Sequence, residues 1–431
     1  MINLKLSKTL LALLVLPIAA LLNDALTYKL GSIFLTPYKL ALILSTILLF
    51  QPFLLIFSKK KFIYSNITIY FVCYCLLLIC SIFYSSNLAI SQKVNYFLFI
   101  TCEIIIIIGL SNKLKYVDIN RLIESFIRVI IGIFFLSLIL STAQLIFSDQ
   151  LIYTGLFASR KITYAITGFN IERLFLCEFL IIGLAMIMFK KKYLKSIRLI
   201  LLIWVGFLIL YSGSFTGTLG FLGLVLLLIR SFKLKSSLYY LVILIPFVYL
   251  VSTNLELSLE RKATSNEKKF ESYFLNASEE NWRLVSSIAL LDDVVSNPTF
   301  LGHGYLSSSR FLKDTFYYYS RDKYGEDNAT DKANTSHTFV SVIYDQGILG
   351  FILIIIFVFK LLKLILKLYR NNKHSHDTYY NLILKVTYVL SILVLLRFSF
   401  YYHTINHWHY LVLIVFTNLT VLKKNNILST Q

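Results

Sequence analysis

The feature that most constrains this chain is the recurrence, along its whole length, of unbroken apolar runs bounded by charged residues. Each is roughly 15–22 residues long, close to what a helix needs to cross a hydrocarbon core of about 30 Å. In lipid only helices and closed barrels satisfy their own backbone polar groups. The runs lack the alternating ten-residue pattern of barrel strands, which leaves helices. With 57% hydrophobic and 15% charged residues over 431 positions, a water-soluble fold could not cover its apolar surface. The sequence therefore specifies an all-α, polytopic membrane protein.

The runs place twelve transmembrane helices near 9–26, 40–57, 62–83, 94–111, 123–147, 173–189, 199–212, 216–229, 238–252, 347–366, 381–400 and 409–422. The first, behind Lys5 and Lys8, lacks a small-x-small cleavage site and reads as a retained span. Ser212-Gly213-Ser214 divides the 199–229 run into two short helices joined by a turn. All five cysteines fall inside expected spans, so no disulfide or cysteine metal site is expected outside the membrane.

With the N-terminus inside, alternate loops collect Lys59–Lys61, Lys190–Lys192, Arg230/Lys233/Lys235, Lys360/Lys363/Lys367/Arg370 and Lys423/Lys424. The cytoplasmic side then holds 25 basic and 3 acidic residues and the outer side 17 of each, with Glu103 and Glu178 inside spans. The whole excess of +20 lies on one side, as the positive-inside rule requires, and both termini are cytoplasmic. The basic pI is thus a topological signal. No basic stripe interleaved with aromatics points to nucleic acid.

The expected organisation is nine spans in 1–251, a large external loop at 252–346 and three spans in 347–431. A loop of that length is unusual for a transporter and reads as a lid or substrate platform. A helix is expected from about Ser278, with Glu279 and Glu280 in its first turn and Asn297-Pro298 at its end. Trp282, Val285, Ile288 and Ala289 would form its apolar stripe, into which Asp292 does not fit. A turn follows, Pro298-Thr-Phe-Leu-Gly302-His303-Gly304-Tyr305. Then come Asn334-Thr335-Ser336-His337-Thr338 and Asp345-Gln346-Gly347-Ile348-Leu349-Gly350, the latter at the mouth of the tenth span. A helix N-terminus at His337 disfavours the imidazolium and keeps the ring neutral, able to accept a proton.

The order Arg283, Pro298-x-x-x-Gly302-x-Gly304, His337 and Gly347-x-x-Gly350 resembles the O-antigen ligase/polymerase superfamily. Leu210-Tyr211-Ser212-Gly213-Ser214 is similar to that family's Ser-Gly-Ser-Arg turn, and Gly168–Arg173 to its segment opening the sixth span. The likeness covers about 160–360. Phe215, Thr338 and Arg173 stand where the family has arginine, asparagine and proline, and the missing arginine leans toward polymerases rather than ligases.

The resemblance implies a fold like the C-type glycosyltransferases, without metal or other cofactor, in the bacterial cytoplasmic (inner) membrane. Its donor would be a polyprenyl-diphosphate-linked oligosaccharide and its acceptor a second glycan, with membrane lipid around it and a chain-length regulator as a further partner. The reaction would be repeat-unit polymerisation. Ligation to lipid A-core is one alternative, and a non-enzymatic flippase for the same lipid-linked sugars another. Diphosphate binding needs cations, which arginine supplies in fork geometry, and the acceptor hydroxyl needs a neutral base. Arg283 and His337 take these catalytic roles, against plain readings as a solvated arginine and a helix-start residue. Arg160, Glu172, Arg173, His303 and Asp345 are candidate substrate-binding residues. Headgroup anchoring would explain Arg160 and Arg173, pairing with Arg173 Glu172, a turn His303, and a helix end Asp345. Glu103 and Glu178, ionisable within spans, mark either function or bundle packing. His403, His407 and His409 around Trp408 fit an interfacial aromatic belt better than a metal site.

Overall fold

A computed structural model describes residues 8–22, 28–30, 33–54, 65–86, 88–114, 119–147, 173–190, 194–212, 214–231, 282–312, 338–370, 378–400 and 408–429. Their helices are α1 (Lys8–Leu21), α2 (Pro37–Leu54), α3 (Asn66–Tyr84), α4 (Ile90–Lys113), α5 (Ile119–Phe147) and α6 (Arg173–Lys190). They continue with α7 (Lys195–Tyr211), α8 (Phe215–Ser231), α9 (Trp282–Ser296), α10 (Thr338–Arg370), α11 (Thr378–Phe400) and α12 (Trp408–Ser429). Between α1 and α2 a small antiparallel hairpin pairs Tyr28 with Leu35 and Leu30 with Ile33. Apart from this hairpin and the turn at 297–306, the described elements are helices.

Each expected span coincides with a helix, except 238–252, which lies outside the described residues. Four helical segments are long and apolar enough to cross a membrane: Asn66–Tyr84, Ile90–Asn112, Asn120–Ile146 and Phe339–Arg370. The outer helices expose large apolar side chains in stripes. On α3 these are Ile69, Leu76 and Phe83, on α5 Leu136, Ile139 and Ile146, and on α10 Ile348, Ile352, Ile355 and Phe359. Water would not tolerate such faces uncovered, whereas lipid matches them. Within α6, by contrast, every residue from Leu176 to Met188 is buried, including Glu178. A helix apolar on all sides belongs in the interior, and α6 packs there against α5, α8 and α11. The chain is an integral membrane protein.

Helix ends that the charge pattern assigns to one side meet one another. At one end, Asn418 of α12 accepts through Oδ1 from Ser65 N (2.8 Å) and Thr68 Oγ1 (3.0 Å). Its Nδ2 donates to Ser111 Oγ of α4 at 2.6 Å. These residues sit where α3 begins and where α4 and α12 near their ends, all on the side assigned to the cytoplasm. Glu124 near the start of α5 meets Lys190 at the end of α6, 3.6 Å apart, at ends assigned to the same side.

The turn at Ser212–Ser214 separates α7 from α8 as expected. Ser214 Oγ accepts from Gly217 N at 3.1 Å, capping α8, and Ser212 Oγ lies 3.5 Å from Cys177 Sγ of the buried α6. Helix α9 begins at Trp282 and ends at Ser296, just before Asn297-Pro298. The expected start near Ser278 lies outside the described residues. Ser287 and Leu290 are buried on α9 with Val294 half-buried, while Asp292 is exposed. The packed face is thus Ser287–Leu290–Val294, a different one from the expected Trp282/Val285/Ile288/Ala289 stripe, and Asp292 stays outside it.

Candidate functional site

The glycine-bearing turn after α9 and the start of the tenth span prove to be one structure. Helix α10 has 33 residues and is broken near the end of its first third, where Gly347 adopts φ 66° and ψ −163°. At 1.5 Å per residue it would be about 50 Å long, more than a bilayer core needs. The break therefore divides a short leading segment from the spanning one. A continuous helix would pair Leu349 N with Asp345 O. Instead Leu349 N donates to Phe300 O (3.3 Å), and the freed carbonyls of Tyr344 and Asp345 accept from His303 N and Gly304 N, both at 2.9 Å. The turn thus satisfies backbone groups that the break would leave unpaired in a buried place.

Only glycine permits this approach. Gly302 and Gly347 face each other, and a Cβ on either would lie 2.4 Å from the other's backbone nitrogen. Both have left-handed φ, 75° and 66°. Gly304, at φ 97°, abuts the backbone of Ser85, where a Cβ would meet Cα at 2.5 Å. The two glycine motifs of the sequence are the two halves of a single clasp.

The clasp also holds the end of α3. Tyr305 N donates to Ser81 O (3.1 Å), Ser85 Oγ donates to Tyr305 O (3.0 Å), and the Tyr84 hydroxyl donates to Leu301 O. The Tyr305 ring meets Tyr96 of α4 edge-on, centroids 5.1 Å apart. Burial pushes the Tyr305 phenol well above its usual range, so it stays neutral. Leu306 follows with φ 63°, a left-handed conformation that strains a leucine. A short helical turn over 307–312 comes next.

Asp345 is fully buried, and its Oδ1 accepts from Ser308 N at 2.7 Å. The bond pairs a backbone N–H that burial would otherwise leave unsatisfied. His303 lies half-buried against the Tyr344 ring, centroids 4.5 Å apart, and its Nε2 has no hydrogen-bond partner among the described residues. Leu290 of α9, Leu312 and Tyr344 form a small buried cluster flanked by Val294, Phe311 and Val340. This cluster seats α9 against the leading segment of α10.

The structure thus brings together Gly302, His303, Gly304, Asp345 and Gly347, and it packs the helix carrying Arg283 against the helix that follows His337. Arg283 is the second residue of α9. His337 lies outside the described residues, directly before Thr338, the first residue of α10. Arg160 and Glu172 also lie outside them, as do His403 and His407, and Arg173 is the first residue of α6. The participants that sequence reading missed are Ser81 and Tyr84 on α3 and Ser85 capping it, together with Tyr344, Leu306 and Ser308. Ser85 and Tyr305 are 220 positions apart, and nothing local marks them as partners.

Residues 199–355 match the O-antigen ligase family model. That span holds the Ser212–Ser214 turn, α9, the clasp and the break in α10. The match supports the O-antigen ligase/polymerase superfamily for this part of the chain. The superfamily comprises membrane proteins of glycosyltransferase-like function that act on lipid-linked oligosaccharides and glycan acceptors. Arg283, His303, His337 and Asp345 fall within the matched residues, while Arg160, Glu172 and Arg173 precede them. No curated protein and no solved structure matches the chain significantly.

Proposed function

We propose that this protein is a glycosyltransferase of the cytoplasmic membrane that polymerises polyprenyl-diphosphate-linked oligosaccharide repeat units on its outer side. The observation that carries the reading is the seating of α9 on α10. Leu290 and Tyr344 share one buried cluster, and each lies seven residues beyond a proposed catalytic residue, Arg283 and His337. Seven residues are about 10 Å of helix. On this reading Arg283, at the start of α9, and His337, directly before α10, belong to one catalytic end.

The chemistry assigned to that end is a single displacement. An acceptor hydroxyl attacks the anomeric carbon of the donor sugar as the carbon–oxygen bond to the diphosphate breaks. His337 takes the hydroxyl proton, and polyprenyl diphosphate leaves with the bonding electron pair against the Arg283 guanidinium. Inversion at the anomeric carbon follows. Arg160 and Arg173 add phosphate contacts, and Glu172 and His303 orient the acceptor. Asp345 holds the clasp behind them.

Phe215, the first residue of α8, follows the Ser212–Ser214 turn where ligases carry arginine, which favours a polymerase. The family description as ligase supports the second reading, transfer to lipid A-core. Deleting the gene and resolving surface glycolipid on a gel separates them. A polymerase deletion leaves a single repeat on the core, whereas a ligase deletion leaves the core bare while lipid-linked polymer accumulates. Undecorated repeats trapped on the inner face would instead identify a flippase and overturn the enzymatic reading.

A further inference from the structure

Outside the candidate spans, α9 and the clasp leave a row of large apolar side chains uncovered. Leu291 is 40% exposed, Val295 77%, Phe300 64% and Leu301 47%. Leu291 and Val295 lie one turn apart on α9, and Asp292, Ser296 and Asn297 beside them are exposed as well. An apolar edge and a polar edge therefore run side by side. Backbone contacts place the row. Leu301 O accepts from the hydroxyl of Tyr84, the last residue of one candidate span, and Phe300 O accepts from Leu349 N of α10. It is thus continuous with two lipid-facing stripes, Ile69–Leu76–Phe83 on α3 and Ile348–Ile352–Ile355 on α10.

We infer that Leu291, Val295, Phe300 and Leu301 form an interfacial wedge that enters the adjoining lipid leaflet and contacts acyl chains. At 15 residues α9 is about 22 Å long, too short to cross a core of about 30 Å but long enough to lie along its surface. Helices with this division of faces settle about 5–10 Å into the boundary between headgroups and acyl chains. One consequence rests on the proposed function: the wedge holds Arg283 at headgroup depth, where the diphosphate of a lipid-linked donor sits. The wedge itself requires neither substrate nor turnover.

The test uses full-length protein in nanodiscs whose lipids carry bromine either high on the acyl chains or at their ends. Phe300→Trp and Asp292→Trp are compared with the parent, whose Trp204, Trp282 and Trp408 supply the background emission. The added indole of Phe300→Trp should be quenched more by upper-chain bromine than by chain-end bromine, and that of Asp292→Trp by neither. Absence of quenching at Phe300→Trp would overturn the wedge, meaning that water or another protein covers this face. Quenching that disappears on adding polyprenyl phosphate would overturn it too, since the occupant would then be a polyprenyl chain rather than bulk lipid. Should Phe300→Trp fail to fold, Val295→Trp reads the same row from a position away from the clasp. The readout involves no glycan, so a wrong reaction and a wrong wedge give different failures.

Discussion

Gly302 and Gly347 meet backbone to backbone, with no room for a methyl group on either side. Gly347 occupies a region of φ/ψ space that is essentially closed to residues with a Cβ. Gly347→Ala is therefore expected to destabilise the protein by roughly 1–3 kcal/mol from strain alone, and to displace the Phe300 carbonyl from Leu349 N. Gly132→Ala is the control, because a Cβ there meets nothing within 4 Å and alanine is the better helix former. Thermal unfolding in detergent should show a clear loss for Gly347→Ala and none for Gly132→Ala. Long glycan chains should be lost with the first alone.

The Asp345 side chain holds the clasp by accepting from Ser308 N through its Oδ1. Asparagine keeps a carbonyl acceptor at that place and alanine does not. Asp345→Ala leaves a buried N–H unpaired, which costs about 1–3 kcal/mol. Asp345→Asn should keep most of the stability and chain synthesis, and Asp345→Ala should lose both. Equal loss in both variants would show that the charge rather than the acceptor matters.

The polar knot at the opposite end makes a separate prediction. Asn418 bonds Ser65, Thr68 and Ser111, and such bonds between membrane helices are worth about 0.6 kcal/mol each on average. Asn418→Leu should thus lower the unfolding temperature modestly, by loss of roughly 2 kcal/mol in sum. Chain length at permissive temperature should not change, because the knot lies at the far end of α3 from the clasp.

Arg283→Lys distinguishes fork-like binding of a diphosphate from simple charge. Lysine keeps the cation but loses the paired donors, so one charged hydrogen bond worth about 1.5–3 kcal/mol disappears. In vitro transfer from a polyprenyl-diphosphate donor should fall roughly tenfold to a hundredfold, with folding unchanged. Activity equal to the parent would remove Arg283 from the leaving-group site.

Much of this molecule is written in its linear pattern. Apolar runs between charges mark the helices because lipid leaves the backbone no other way to pair. Ser212–Ser214 and Asn297-Pro298 end helices by local chemistry, which is why both boundaries appear where the sequence puts them. The glycines at 302, 304 and 347 are visible as motifs. Their meaning is not, because a glycine announces only that something comes close or turns sharply.

What approaches was decided by the tertiary structure alone. The turn after α9 closes on the break in α10, and the Tyr84–Ser85 end of α3, more than 200 positions earlier, completes the clasp. The turn of α9 that buries Ser287 and Leu290 while leaving Asp292 outside is likewise set by packing against Tyr344 and Leu312. The sequence by itself determined that the chain lives in a membrane and where its helices break. Which broken ends pair depends on backbone groups that every residue shares, so only the folded arrangement could choose among them.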